Sequence, residues 1–405
     1  MKKFLYIRKN FRFNYCIYLP FLMKLIVKFL FVFMLTLTFT LTSCHDKDDV
    51  DEVKTNEHTV IFFFPWSGST KTKGLYNLIL ANINDVKAAI ADMRGGKNSR
   101  YVCFMSDTPT SAVMYEMKME RNTCVCDTFK RFDKPDIYNS EGLAGIFAQA
   151  MEHAPAENYG LIVGCHGMGW LPAAVADEVK TRYFGGTTKD FVVDVTEFAA
   201  ALQNVGKKMD FVLFDDCYMA NVEVAYELRN VTDFLIASPN EVIDRGVPYL
   251  SVFKYLAGSH DYEAFVNGFY NFYKNYHYPY GSMSAIDCRQ VQDMADLMKR
   301  INARFVFNTD LLKDIQQFDD MEPTVFYDFG DYVHHLCDDE NLLAEFDTEL
   351  KKLVPFAKAT EYVYTVIPNG HVIKIDTFSG LSISDSSLNK MTDSKTDTPW
   401  YKATH

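Results

Sequence analysis

Short apolar runs alternate with amphipathic stretches over the first two-thirds of the chain. Residues 59–65 (TVIFFFP) are apolar apart from the leading Thr and run into a Ser/Gly segment, the pattern of a strand buried on both faces. Residues 75–93 repeat apolar positions at helical spacing, and 101–105 form a second short apolar run. Residues 112–118 and 122–129 predict a hairpin around Glu120 and Arg121. A helix is expected over 141–153 with Ser140 as its N-cap, and a strand over 161–165 ends among glycines. Further helices are expected over 195–205 and 218–229, and further strands over 210–214 and 234–237. Such alternation predicts an α/β fold, a mostly parallel sheet flanked by helices on both faces.

After about residue 256 the pattern changes. Residues 262–276, 291–305, 310–318 and 342–354 predict helices, and 362–366 with 371–375 predict a hairpin around Asn369-Gly370. The expected organisation is a core over 59–256 and a helix-rich C-terminal region with a β-hairpin over 257–405.

The amino terminus has a different character. Residues 25–42 are apolar apart from Lys28 and several threonines, behind a basic stretch, and end in Leu41-Thr42-Ser43-Cys44. This describes a secretory signal, and the ending resembles the bacterial lipobox, in which the cysteine is lipidated. Residues 1–44 are therefore expected to be a lipoprotein signal, with Cys44 as the lipidation site. The other reading of the run is one membrane-spanning helix. Residues 45–58 begin His45-Asp46-Lys47-Asp48-Asp49 and read as an acidic linker. That linker resembles the acidic signal that follows the lipidated cysteine in surface-exported lipoproteins, so the expected location is the outer membrane, facing the cell surface or the periplasm.

Charge narrows the possible partners. The 405 residues carry a formal charge of −12 and are 48% hydrophobic, which excludes a disordered chain. Residues 1–43 hold seven basic residues and no acid, which leaves 34 basic against 53 acidic residues in the remainder. Nucleic-acid binding needs a positive surface and is not expected. Beyond Cys16 and Cys44 there are seven cysteines, an odd number, so one at least stays unpaired. Cys124-Val125-Cys126 places two thiols on one face of a strand, but no C-x-x-C pair or second cluster has zinc spacing, and no metal site is expected.

Two strand ends carry chemistry. His166 follows the strand at 161–165 in the segment Gly164-Cys165-His166-Gly167-Met168-Gly169-Trp170. Ligands of such sheets sit at the carboxyl ends of the strands, and the glycines let backbone approach a substrate. Cys217 follows the strand at 210–214 in Asp215-Asp216-Cys217-Tyr218-Met219-Ala220 and is expected to open a helix. A helix N-terminus favours a thiolate and offers N–H donors to an oxyanion. Taken singly, a cysteine near a strand end reads as a small buried hydrophobe and a His-Gly turn as commonplace. Together the two are the minimum nucleophile and base of a thiol hydrolase.

With these residues in view, the chain resembles the clostripain family of cysteine peptidases, which share the caspase-like fold. The segments His166–Trp170 and Asp215–Met219 occur in family order, as do Val222-Glu223-Val224-Ala225-Tyr226-Glu227-Leu228 and Ala237-Ser238-Pro239-Asn240-Glu241. Ser379-Gly380-Leu381-Ser382-Ile383 and Trp400-Tyr401-Lys402-Ala403-Thr404 extend the likeness to the C-terminus. The resemblance implies a dyad, with Cys217 as nucleophile and His166 as acid/base, and an oxyanion hole from the N–H groups of Gly167 and Cys217. It implies cleavage after Arg or Lys, with Asp215 lining the pocket for the basic side chain; the other reading of Asp215, or of Asp216, is a helix cap. A second family acid falls in the loop Ile243-Asp244-Arg245-Gly246, where Asp244 is the candidate and Arg245 occupies the place the register gives the acid. Some family members cut themselves after the catalytic histidine, which makes Lys180 and Arg182 the candidate points. No cofactor is required; calcium dependence occurs in the family and the many acids permit it, without EF-hand spacing to localise a site. The expected partners are a peptide or protein substrate with a basic residue before the cut, and the membrane through the lipid on Cys44. The alternatives are a catalytically silent peptide-binding relative and a thiol amidase of other specificity.

Overall fold

The computed structural model describes residues 56–173, 184–366, 370–386 and 389–405. The expected signal segment with Cys44, and the loop with Lys180 and Arg182, lie outside the described residues. Residues 55–405 form one compact unit. Among the described residues no helix is long and apolar enough to cross a membrane.

The first apolar run is β1, Asn56–Phe64. It is followed by helix α1, Tyr76–Asp92, and by β2, Ser99–Thr108. β3, Ser111–Glu120, and β4, Thr123–Asp133, form the expected hairpin, and Arg121 takes the positive φ of 59° that its turn needs. Helix α2, Ser140–His153, is capped by Asn139, whose side chain accepts from the Gly142 N–H at 2.9 Å, and not by Ser140. β5, Ala156–Val163, leads toward His166; α3, Val195–Val205, and β6, Met209–Phe214, lead toward Cys217. Helix α4, Val222–Leu228, and β7, Thr232–Ala237, complete the alternating part.

The sequence after residue 256 adds to the same sheet. After the short α5, Tyr249–Val252, and α6, Tyr262–Lys274, comes β8, Ser282–Asp287, a buried strand that the hydrophobic pattern does not announce. Helix α7, Val291–Asn302, precedes the two-residue β9, Tyr327–Asp328, and helices α8, Phe329–Leu336, and α9, Glu340–Leu353. β10, Phe356–Ala359, precedes the expected hairpin, β11, Tyr362–Thr365, with β12, His371–Lys374. β13, Ser382–Ile383, and α10, Pro399–Thr404, close the chain. The helix expected over 310–318 is only a 3-10 turn, Thr309–Asp314. Beyond it the backbone is bonded elsewhere: the Gln316 N–H donates to the Asp331 carboxylate and the Phe318 N–H to the Phe326 carbonyl.

The nine-stranded sheet runs β10-β8-β7-β6-β5-β1-β2-β3-β4. Its five central strands are parallel and its edges antiparallel. One face packs on α2, α3, α4 and α7, the other on α1, α5 and α6, giving two apolar layers. From β1 the chain goes first to β2 on one side and later to β5 on the other. The crevice at a reversal of strand order lies outside the carboxyl ends, where α/β sheets bind ligands. β5 and β6, which precede His166 and Cys217, lie beside that reversal.

Candidate active site

Adjacent parallel strands fix the relation between the two candidate residues. The β5–β6 ladder continues past both strand ends: the Asp215 N–H donates to the Val163 carbonyl at 2.8 Å, and the Cys165 N–H donates to Asp216 Oδ1 at 2.6 Å. His166 is one step further on one strand and Cys217 one step further on the other. His166 is almost fully buried, and its backbone exchanges two hydrogen bonds with Gly185 at 3.2 and 3.0 Å. His166, Cys217, Asp215, Asp244 and Gly246 line one narrow pocket.

Cys217 does not open a helix, contrary to the sequence expectation. The chain turns sharply after it: Tyr218 takes φ of 60°, a left-handed conformation that costs a bulky residue about 1–2 kcal/mol. Helix α4 starts four residues later behind Asn221, whose side chain accepts from the Val224 N–H at 3.0 Å. Neither Asp215 nor Asp216 is therefore its cap. The turn is held from several sides. The Tyr218 N–H donates to the Asn240 carbonyl and the Ala220 N–H to the Ser238 carbonyl, both at 3.0 Å. The Tyr218 hydroxyl donates to Glu241 at 2.9 Å, and its ring stacks on Phe326. The Ser382 N–H reaches back to the Ala220 carbonyl at 2.9 Å.

In place of a helix terminus, the sulfur meets a backbone donor, the Val242 N–H, 3.4 Å from Cys217 Sγ. Gly167 lies directly on the Cys217 backbone. A Cβ there would stand 2.4 Å from the Cys217 carbonyl oxygen, 2.8 Å from Asp216 Cβ and 3.0 Å from Cys217 N. Gly167→Ala is expected to displace the Cys217 turn and lower kcat by about 10- to 100-fold, with the substrate KM far less affected. Steady-state kinetics beside a thermal unfolding curve checks this, and an unchanged kcat removes Gly167 from the site.

Two carboxylates lie beside His166 and Cys217. Asp216 is fully buried and accepts from Cys165 N; burial, with the Asp215 charge beside it, pushes its pKa well above the carboxylate range. It acts as a clamp between the ends of β5 and β6. Asp215 keeps part of its surface open to the cleft. Its oxygens accept from the Val247 N–H at 2.8 Å, the Tyr249 hydroxyl at 2.9 Å and, at 3.5 Å, the Asn82 amide. Burial lifts its pKa to about 6, against the lowering effect of these donors and of the nearby Arg245 charge. Gly246, at φ of 66°, makes room for it, since a Cβ would sit 2.8 Å from both Asp215 oxygens.

The loop after β7 separates its acid from its base. Asp244 is exposed and lines the pocket. Arg245 turns away to α1, where it pairs with Asp85 at 2.5 Å and bonds Asn82 Oδ1 at 3.0 Å, with Phe272 beneath it. From the pocket a wider groove of about 890 Å³ continues along the β11–β12 hairpin. Val242, Ile243 and Asp244 line both, while Tyr278, Tyr364, Val366 and Val372 give the groove an apolar wall.

Asn82, Tyr249, Gly246 and Val242 were not among the residues singled out from sequence. Asn82 had a signal, being the one polar residue among the buried positions of α1, beside Ile79, Ile83, Val86, Ala89 and Ile90. The other three act through backbone geometry or across 25 to 34 residues of chain, which no local pattern encodes.

The family model described as the clostripain family matches residues 78–367. No curated protein matches the chain. Among solved structures, a secreted C11 cysteine protease from Bacteroides thetaiotaomicron, called iotapain, is similar at 38% identity and a TM-score of 0.82, covering 87% of this chain and 99% of that one. A clostripain from the same organism, in complex with the peptide inhibitor BTN-VLTK-AOMK, is 44% identical with a TM-score of 0.54, covering 55% of this chain and 99% of that one. An inactive zymogen C11 protease from Parabacteroides distasonis, at 24% identity and a TM-score of 0.75, covers 87% of this chain and 99% of its own and shares the fold.

Proposed function

The chain belongs to the clostripain family and is a cysteine peptidase; from that premise we propose that it cuts peptide bonds after Arg or Lys through a dyad of Cys217 and His166. The observation that carries the reading is the shared pocket, which brings His166 and Cys217 to adjacent strand ends above the Asp215 carboxylate. Cys217 as thiolate attacks the scissile carbonyl carbon, while the N–H groups of Gly167 and Cys217 hold the oxyanion. His166 gives a proton to the leaving amine, and the acyl group stays on sulfur as a thioester. A water molecule, losing its proton to His166, then attacks the thioester and returns the thiolate. These steps need no cofactor.

Basic specificity rests on Asp215 at the pocket floor and Asp244 on its wall. A guanidinium or ammonium needs such a carboxylate. Arg245, held by Asp85 and Asn82, has its charge paired by Asp85 outside the pocket, which weakens its repulsion of a basic substrate side chain. The related clostripain bound to an inhibitor whose peptide ends in lysine supports the same preference. The apolar groove beside the pocket suits the residues that precede the basic one. Self-cleavage after Lys180 or Arg182, and anchoring through Cys44, complete the proposal: a surface lipoprotein made as a precursor.

Peptides that differ only at the residue before the cut test the specificity. Turnover expressed as kcat/KM is expected to be about 10²–10³-fold higher for Arg and Lys than for Ala, Leu or Asp, the range for losing one partner of a buried charge pair. A preference of another class would leave the peptidase standing and overturn the roles of Asp215 and Asp244.

A further inference from the structure

At the end of the sheet where the parallel strands begin, three side chains far apart in sequence converge. His58 lies in β1, Asp210 is the second residue of β6, and His260 precedes α6. One ligand-type atom from each lies within 4.8 Å of the other two. His260 Nε2 is 3.0 Å from Asp210 Oδ2, and the two imidazoles meet edge to face at 5.4 Å. Phe211 and Tyr262 wall the His260 ring, and the Tyr262 hydroxyl donates to the Asp210 carbonyl at 3.3 Å. The Nδ1 atoms of His58 and His260 are both buried without a hydrogen-bond partner. Buried polar atoms normally carry a partner; His260 faces Asp210 through Nε2, and two such imidazoles around one carboxylate form a metal-type donor set.

We propose that His58, Asp210 and His260 bind a divalent first-row transition ion, with zinc as its natural probe. Two imidazoles and a carboxylate suit zinc, whereas calcium takes six to eight oxygens and finds here Asp210 and the exposed Glu57. Zinc bonds of about 2.0–2.1 Å hold tetrahedral ligand atoms about 3.4 Å apart. The most widely separated of the three atoms, up to 4.8 Å apart, therefore move in by up to about 1.4 Å on binding. Water, or Glu57 at 3.6 Å from His58 Nε2, fills the fourth position. The ion would tie β1 to β6 across β5 and fix the segment entering α6. It lies roughly 20 Å from the catalytic pocket, the length of a six-residue strand, so its role is structural.

The test uses the whole protein carrying Cys217→Ala, which removes the active-site thiol as a competing ligand. After chelator treatment, one equivalent of zinc is expected to raise the thermal midpoint by a few degrees, and cobalt to develop the visible absorption of a tetrahedral site. Both signals should vanish in Asp210→Asn, which keeps the side-chain shape, and in His260→Gln, and persist in His166→Ala. Circular dichroism of the metal-free variants separates lost binding from lost fold. Absence of a zinc-dependent shift in the parent protein, its survival in Asp210→Asn, or its loss in His166→Ala overturns the proposal.

Discussion

Cys217→Ala is expected to lower kcat/KM toward an Arg or Lys peptide by about 10⁴-fold or more, because the nucleophile carries the covalent step and only binding and oxyanion stabilisation would remain. The fold should survive. The thiol is partly exposed and touches the Val242 backbone, so the substitution removes one sulfur and creates little cavity. His166→Ala should cost nearly as much, and the double variant little more than either single one, since residues that act as a unit are not additive. A second thiol tests the assignment from inside the pocket. Cys165 lines it too, but burial and the Asp216 carboxylate hold its pKa well above the usual thiol range, so it stays protonated and inert. A thiol-reactive peptide probe with a basic end residue should therefore label wild type and leave Cys217→Ala unlabelled. Intact mass spectrometry should show the chain uncut over residues 174–183 in the variant. Measurable hydrolysis by Cys217→Ala would sink the assigned nucleophile.

The parallel core was legible because its strands are buried on both faces and read as continuous apolar runs. The strand β8 was not, since Ser282 and Ser284 interrupt its run. Both are buried all the same, and Ser282 is satisfied by Ser238 at 2.7 Å and Asn240 at 2.8 Å. Burial of hydrogen-bonded serine costs little, yet it erases the apolar pattern. The expected helix at 218 failed for a related reason. Tyr218 and Ala220 bond to Asn240 and Ser238 from the next strand end, and those long-range bonds outweigh local propensity. Position at a strand end singles out His166 and Cys217 as candidates, because topology alone carries such residues to the carboxyl edge of the sheet; Asp215 entered only through the family resemblance. Asn82, Tyr249 and the rotation of Arg245 toward Asp85 depend on how α1 and the α5 segment pack over that edge. The metal-type cluster was hidden for the same reason: His58, Asp210 and His260 have no spacing in sequence that signals a site.

Asp215→Asn should separate specificity from stability, with opposite signs. In the folded protein burial lifts the Asp215 pKa to about 6 from its ordinary 3.8. A carboxyl raised in this way favours the fold while protonated. That contribution is full below about pH 4 and is lost as pH rises through about 6, where a buried charge must be carried. At pH 7–8 the neutral amide avoids that charge, and its oxygen still accepts from Val247 N–H or the Tyr249 hydroxyl. The two-unit shift corresponds to about 3 kcal/mol; screening through the open side of the pocket reduces the expected gain to about 1–2 kcal/mol. Denaturant unfolding at pH 8 and pH 4 should show Asp215→Asn more stable at the higher pH and level with wild type at the lower. Activity should move the other way. The amide offers no charge to a guanidinium, and losing one partner of a buried pair costs about 2–5 kcal/mol, so kcat/KM for Arg and Lys peptides should fall by about 10²–10³-fold. Peptides with a neutral residue before the cut should change little. In wild type, the ratio of basic to neutral turnover cancels the titration of the dyad and should itself decline as pH drops below about 6, following the Asp215 carboxylate. A variant that retained its preference for Arg and Lys would remove Asp215 from substrate recognition and leave it as a buried brace for the Val247 and Tyr249 segment.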